Sequence, residues 1–122
     1  MSTFRYLVYD IDAALPFYEA LGFVVRERWG PPFVILSRRD QTLWLSGPGT
    51  SAARPMPDGA IPAPGGWNRI VIKVSDLNAM VTTLRASGAQ FRNEPVSGPG
   101  GRQVLIEDPS GNPVELFESS SD

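Results

Sequence analysis

The chain contains neither cysteine nor histidine. The first absence excludes disulfides, thiolate nucleophiles and thiolate metal sites. The second removes the usual general base near neutral pH and the commonest transition-metal ligand. Chemistry must then run on carboxylates, Lys, Arg, Tyr, Ser or a bound cofactor. Long apolar runs are also missing: none reaches the roughly 18 residues that a transmembrane helix needs. No basic, apolar, small-residue leader opens the chain, so a cytoplasmic location without a membrane partner is the expectation. Charge of one sign is scarce too. The formal net charge is -2, with three Trp and three Tyr. That excludes a field or a stacking platform for nucleic acid. Charged residues make up 20% and hydrophobic ones 42% of the 122 residues, which fits a soluble globular chain of one domain.

What is present is a repeat. Phe4 to Val25 aligns without gaps on Ile70 to Phe91, at an offset of 66 residues. Phe4, Tyr6 and Val8 fall on Ile70, Ile72 and Val74; Asp10 falls on Asp76 and Gly22 on Gly88. Each copy opens with alternating apolar residues, the period of a half-buried strand. An acidic residue then ends the strand and caps a helix: Asp10 or Asp12 in the first copy, Asp76 in the second. The helical stripes run through Leu15, Tyr18 and Leu21, and through Leu77, Val81 and Leu84. Each helix stops at a glycine, Gly22 or Gly88, the residue favoured just past a helix end. Pro16 is expected near the first turn, where a missing N–H does least harm.

Short strands follow each helix. The pattern predicts 23–27, 33–37 and 42–46 in the first half, and 90–93, 103–107 and 113–118 in the second. Asp108-Pro109-Ser110-Gly111-Asn112 reads as a turn, and Arg39-Asp40-Gln41 turns at the equivalent place. There the offset has grown to 71, so the second copy holds about five extra loop residues. Gly98-Pro99-Gly100-Gly101 reads as a hairpin connection and not as a phosphate loop, since no Lys-Ser/Thr and no helix follow. Between the copies, Gly47 to Gly66 is half Gly or Pro, so it reads as an irregular linker, a tether or a lid. The organisation expected is a single domain over 1–122, with module 1 at about 1–46, the linker at 47–66 and module 2 at about 67–118. Neither half is large enough to bury both strand faces alone.

Two segments carry a family resemblance. Asp10-Ile-Asp-Ala-Ala-Leu-Pro-Phe-Tyr-Glu-Ala-Leu-Gly-Phe23 resembles the opening strand-helix signature of the glyoxalase/bleomycin resistance/dioxygenase (vicinal oxygen chelate) superfamily. Asp108-Pro-Ser-Gly-Asn-Pro-Val-Glu-Leu-Phe117 resembles its closing hairpin. The resemblance implies an α+β fold of two βαβββ modules whose mixed sheet curls into an open cup, and it implies a homodimer. It also implies where a metal would be held, because catalytic members use His, Glu or Gln on the cup-facing side of four strands. By register with Asp10 and by strand alternation, those positions here are Thr3, Trp44, Arg69 and Glu115. Glu115 alone is a plausible ligand, and a metal site needs two or three. A guanidinium also repels a cation. The expectation is a member with no metal and no cofactor. Relatives of that kind sequester bleomycin-, mitomycin- or enediyne-type natural products.

The candidate ligand-binding residues are Arg5, Tyr9, Phe33, Trp44, Trp67, Arg69, Leu105, Glu115 and Phe117. Trp44 and Trp67 offer flat faces and an N–H donor; either can instead fill core. Arg69 and Glu115 either form a salt bridge across the former metal centre or hold a ligand carbonyl or carboxylate. Arg5 and Lys73 face the cup by alternation, yet each can be a rim charge. Tyr9, Phe33, Leu105 and Phe117 supply apolar walls, with packing as the plainer role. Trp29, in a Gly-Pro turn, fits a pocket rim or a dimer contact. Two functions stay open. One is a binding protein that sequesters a small aromatic or hydrophobic molecule and confers antibiotic resistance. The other is an enzyme of the superfamily, a lyase, isomerase or dioxygenase, using Glu115 as acid/base or an atypical metal site. A protein-interaction domain is a weaker third.

Overall fold

The computed structural model describes residues 2–120, and its contacts divide the chain into two compact units, 1–65 and 66–122. In the first, β1 (Ser2–Leu7) leads into α1 (Ile11–Ala20), followed by β2 (Val24–Trp29), β3 (Phe33–Arg38) and β4 (Gln41–Ser46). The sheet order is β1-β4-β3-β2, with β1 and β4 parallel and the other pairs antiparallel. The second unit runs β5 (Ile70–Lys73), α2 (Leu77–Ala86), β6 (Gln90–Phe91), β7 (Val96–Gly98), β8 (Gly101–Glu107) and β9 (Pro113–Ser119). Its order is β5-β9-β8-β6, with β7 also on β8 and with β5 and β9 parallel. This is the expected α+β architecture of paired βαβββ modules. Among the described residues no helix is long and apolar enough to cross a membrane.

The repeat is carried in the ladders. Phe4 pairs with Leu43 and Ile70 with Val114, so the first strands keep the offset of 66 and the last strands the offset of 71. Both helices obey one local rule at each end. Asp10 and Asp76 accept the N3 amides of Ala13 and Ala79, at 3.2 and 3.0 Å. Each side chain thereby satisfies an orphan donor of the first turn. Asp12 does not cap; its carboxylate takes Arg28 Nη1 at 2.8 Å, and that hydrogen bond holds it below the usual carboxylate range. At the C-termini Phe23 N donates to Tyr18 O and Ala89 N to Leu84 O, with Gly22 and Gly88 at φ 100° and 86°. Both are Schellman motifs, and in the first Phe23 also packs edge-on against Tyr18 at 5.9 Å.

Burial follows alternation and helical period. On the sheets Val34, Leu36, Leu43 and Leu45 are buried in one unit, and Ile70, Ile72, Val104, Ile106, Val114 and Leu116 in the other. Helix α1 buries Ile11, Ala14 and Tyr18, followed by Leu21. Leu15 lies half-buried at the margin of that stripe. Helix α2 buries Leu77, Val81 and Leu84, as its spacing predicts.

Three local features differ from expectation. Pro16 occupies the second turn of α1, because the helix begins at Ile11. It removes the N–H that would reach the Asp12 carbonyl, a tolerable loss because Asp12 is exposed to water. The strand predicted over 90–93 is short, and the unpredicted β7 resumes its ladder on β8. Pro95 cannot donate in the gap, and Asn93 Oδ1 stands in by accepting Leu105 N at 2.9 Å. The 47–65 segment carries a single 3₁₀ turn, Ser51–Ala53.

Gly101 closes the β7–β8 hairpin opposite Gly98. Its φ is 154°, and a Cβ there would collide with the Glu118 carbonyl. Substitution Asp10→Ala or Asp76→Ala is therefore expected to lower stability by about 1 kcal/mol each, the usual worth of a side-chain N-cap. Gly101→Ala is expected to cost more than either, because β8 must move away from β9. Urea unfolding followed by circular dichroism measures all three; a Gly101→Ala midpoint at or above those of the cap variants would contradict the assignment.

Candidate functional site

In the first unit, helix α1 covers one sheet face and leaves the other for side chains of alternate parity. Since Leu43 and Leu45 point to the buried side, Thr42, Trp44 and Ser46 belong to the open face. Register puts Arg5 and Ile35 beside Trp44, and Leu7 and Phe33 beside Ser46. Three rings form a chain across this face. Trp29 meets Phe33 edge-on at 6.2 Å and 83°, and Phe33 meets Trp44 at 5.9 Å and 78°. The Arg5 guanidinium lies over the Trp44 ring, 5.0 Å from its centroid.

Trp29 is 64% exposed, yet it is positioned. Its Nε1 donates to Glu27 Oε1 at 3.0 Å. The adjoining β2–β3 turn is tied down by Arg28, which donates to Asp12 and to the carbonyls of Gly30 and Pro31. An open pocket of about 330 Å³ is lined by Arg5, Trp29, Phe33, Ser46, Thr50 and Ser51. A neighbouring pocket of about 250 Å³ has Tyr9, Leu7, Ser46, Pro62 and Pro64 among its walls. Ser46 is shared by both, and its buried Oγ has no hydrogen-bond partner among the described residues. The 47–65 segment thus supplies walls to both pockets. It is pinned at its start by Gly47 N donating to Pro32 O at 2.8 Å.

The second unit carries a polar arrangement instead. Arg69 donates through Nε and Nη2 to one oxygen of Glu115, at 3.1 and 3.0 Å, and through Nη1 to Trp67 O at 3.3 Å. Glu115 is 9% exposed. Leu105 stands opposite it on β8, and Phe117 lies two residues further along β9 beside Lys73. Trp67 is 70% exposed, with Arg92 stacked on its ring at 4.6 Å. Arg92 in turn is fixed by Glu107 and by the carbonyls of Gly66 and Gly111.

The sequence-predicted residues therefore fall into two groups. Arg5, Phe33 and Trp44 come together in the first unit, with Tyr9 in the adjacent pocket. Trp67, Arg69, Leu105, Glu115 and Phe117 belong to the second. Trp44 is not itself a wall of the larger pocket; it backs the walls formed by Arg5 and Phe33. Ser46, Thr50 and Ser51 were not anticipated. Ser46 was within reach of the sequence, because it lies two residues beyond Trp44 on the same strand face. Thr50 and Ser51 carry no such signal.

The donor chemistry does not fit a divalent metal. Thr3 offers one neutral hydroxyl, Trp44 no acceptor, and Arg69 a cation already bound to the carboxylate of Glu115. Among the described residues no cluster of three or more Asp, Glu, His or Cys could hold one.

The sequence profile of the Glyoxalase/Bleomycin resistance protein/Dioxygenase superfamily matches residues 1–116. A superfamily member from Sphaerobacter thermophilus is 28% identical, with a TM-score of 0.75 over 98% of this chain and 96% of that one. The lactoylglutathione lyase of Agrobacterium tumefaciens is 24% identical, TM-score 0.74, over 97% and 92%. An antibiotic binding protein from a Streptomyces species is 23% identical, TM-score 0.71, over 97% and 93%.

The ion pair of the second unit generates a test of its own. Arg69→Met strands a largely buried carboxylate and is expected to cost about 1–3 kcal/mol, the penalty of an unsatisfied polar group. The double variant Arg69→Met/Glu115→Leu removes both charges and is expected to recover part of that loss. Chemical denaturation of the single and double variants measures the difference; a double variant weaker than Arg69→Met would contradict the pairing.

Proposed function

The chain belongs to the Glyoxalase/Bleomycin resistance protein/Dioxygenase superfamily, and on that premise we propose that it is a metal-free binding protein for a small aromatic or hydrophobic molecule. The observation that carries this reading is the exposed Trp29 held edge-on to Phe33 in the wall of the larger pocket. A large, flat, water-facing ring fixed by a hydrogen bond is poorly used for folding and well suited to stacking. The antibiotic binding protein of the same fold lends support to a sequestering, resistance-type role.

An enzyme using Glu115 as acid/base is the second reading, and similarity to a lyase keeps it in view. Against it, Glu115 is largely buried and one of its oxygens accepts two guanidinium N–H groups of Arg69, the arrangement of a structural ion pair. Within the first reading we also propose a homodimer. Edge strand β2 is exposed along all six residues, Val24 and Val25 included, an edge that proteins commonly cover.

Titration, elemental analysis and sedimentation test these readings. Calorimetric titration against bleomycin-, mitomycin- and anthraquinone-type compounds should find a binder. Trp29→Ala should weaken it at least tenfold with near-native melting, since the ring adds little to the core; tenfold is about 1.4 kcal/mol. Trp44→Ala should lower both affinity and melting temperature. No binding across the panel would move the enzyme reading ahead. Elemental analysis of tag-free protein purified without chelator should find no stoichiometric metal; one Zn, Ni, Fe or Mn per chain would overturn the metal-free assignment. Sedimentation at micromolar concentration should give twice the 13.3 kDa chain mass; a strict monomer would remove the dimer.

A further inference from the structure

Ser46 is oddly placed for folding, and Arg5 stands exposed beside it. Ser46 is 1% exposed, and its Oγ is the single buried side-chain polar atom without a partner among the described residues. A buried hydroxyl left unpaired destabilises the fold. A serine in that condition has either been left to chance or is held for a group that the chain itself does not supply. Its position favours the second, since it forms part of the wall of both pockets. Serine χ1 has three staggered wells, so a rotation can present the hydroxyl to either space.

Arg5 has the complementary oddity. Its guanidinium stacks on Trp44 but makes no hydrogen bond and no ion pair with any described residue. Every other arginine that touches an aromatic ring here also has a carboxylate: Arg85 has Glu94, and Arg92 has Glu107. Stacking fixes the plane of the Arg5 guanidinium and leaves its N–H edge unspent. Register sets Arg5 beside Trp44 and Ser46 two residues past Trp44, so the two are diagonal neighbours on one face. They share the larger pocket with the rings of Trp29 and Phe33. Neighbouring polar groups do not neutralise them. Thr50 Oγ1 is donated to Gly47 O at 2.8 Å. Glu27, bound to Trp29 Nε1, does not line the pocket.

An unspent guanidinium edge and an unspent hydroxyl, both able to donate, flanked by the exposed ring of Trp29 and the half-buried ring of Phe33, describe a receptor for one chemical class. We propose that the ligand of this pocket is an aromatic carboxylate, its ring system against Trp29 and Phe33 and its carboxylate accepting from Arg5 and Ser46. Arg5 supplies charge and a planar fork, and Ser46 supplies the remaining hydrogen bond. This rests on the aromatic-pocket reading above and adds the sign of the ligand's charge.

The test compares naphthoic acid with its neutral amide, naphthamide, by isothermal titration calorimetry at neutral pH. The acid is expected to bind the wild-type protein at least tenfold more tightly than the amide. Arg5→Met should bring acid and amide to the same affinity. Ser46→Ala should weaken the acid about three- to tenfold while the melting temperature holds or rises, because it removes an unpaired buried hydroxyl. A structural serine would behave oppositely, with a lower melting temperature and unchanged acid binding, and that result would overturn the role of Ser46. Equal binding of acid and amide to the wild type would overturn the carboxylate assignment and leave the aromatic pocket standing. Failure of both compounds and of the broader panel would overturn the two together.

Discussion

Parallel pairing of the first and last strand in each unit is the constraint on which the rest depends. Two parallel strands cannot be joined by a tight turn, so the chain must travel away and return. It does so through one helix and a meander of strands, in both halves. One helix covers one face of a sheet. The pairing of β1 with β4, and of β5 with β9, therefore creates in each unit a packed face and an open one. The strand residues of both arrangements, Arg5, Phe33, Trp44 and Ser46 in one unit and Glu115 in the other, have open-face parity. The fold's contribution to function is to make that parity available.

The two open faces have been filled in different ways. In the first unit an arginine, three rings and an unpaired hydroxyl border open space. In the second an arginine is consumed by a buried carboxylate of its own unit. The two units thus present a cation that is free in one case and spent in the other. Desolvation explains why both cannot be spare. A largely buried Glu115 needs its counter-charge, whereas Arg5 stands where water or a ligand can serve.

Much of this is legible in the amino-acid sequence. Asp76, Gly22 and Gly88 mark helix ends because capping is a local rule, decided within five or six residues; Asp10 shares that role with Asp12 until the structure separates them. Strand parity placed Trp44 and Glu115 because alternation is enforced by the pleat. The offset of 71 at the last strands predicted their equivalence, and the ladders bear it out. What escaped notice depended on non-local geometry. β7 exists because β8 is long enough to accept a second short partner after Pro95. Trp29 reads from its turn as a pocket-rim or dimer-contact residue, and the bonds of Arg28 that hold the turn have no signal in the sequence. Thr50 and Ser51 gain meaning only from the course of a Gly- and Pro-rich segment that has no period to read. Pro16 was misplaced by one turn because Asp10 and Asp12 are equally good caps on composition alone.

Each unit holds an indole beneath a guanidinium, Trp44 under Arg5 and Trp67 under Arg92. A fixed positive charge over an aromatic ring perturbs its excited state, and loss of the stack restores the solvated spectrum. The chain therefore carries a built-in optical label in each half. With Trp67 replaced by Phe, emission reports on the N-terminal unit alone; with Trp29 and Trp44 replaced instead, it reports on the C-terminal unit. Comparing the two traces shows whether the halves melt as one cooperative body or in sequence, with no dye attached and no cysteine introduced.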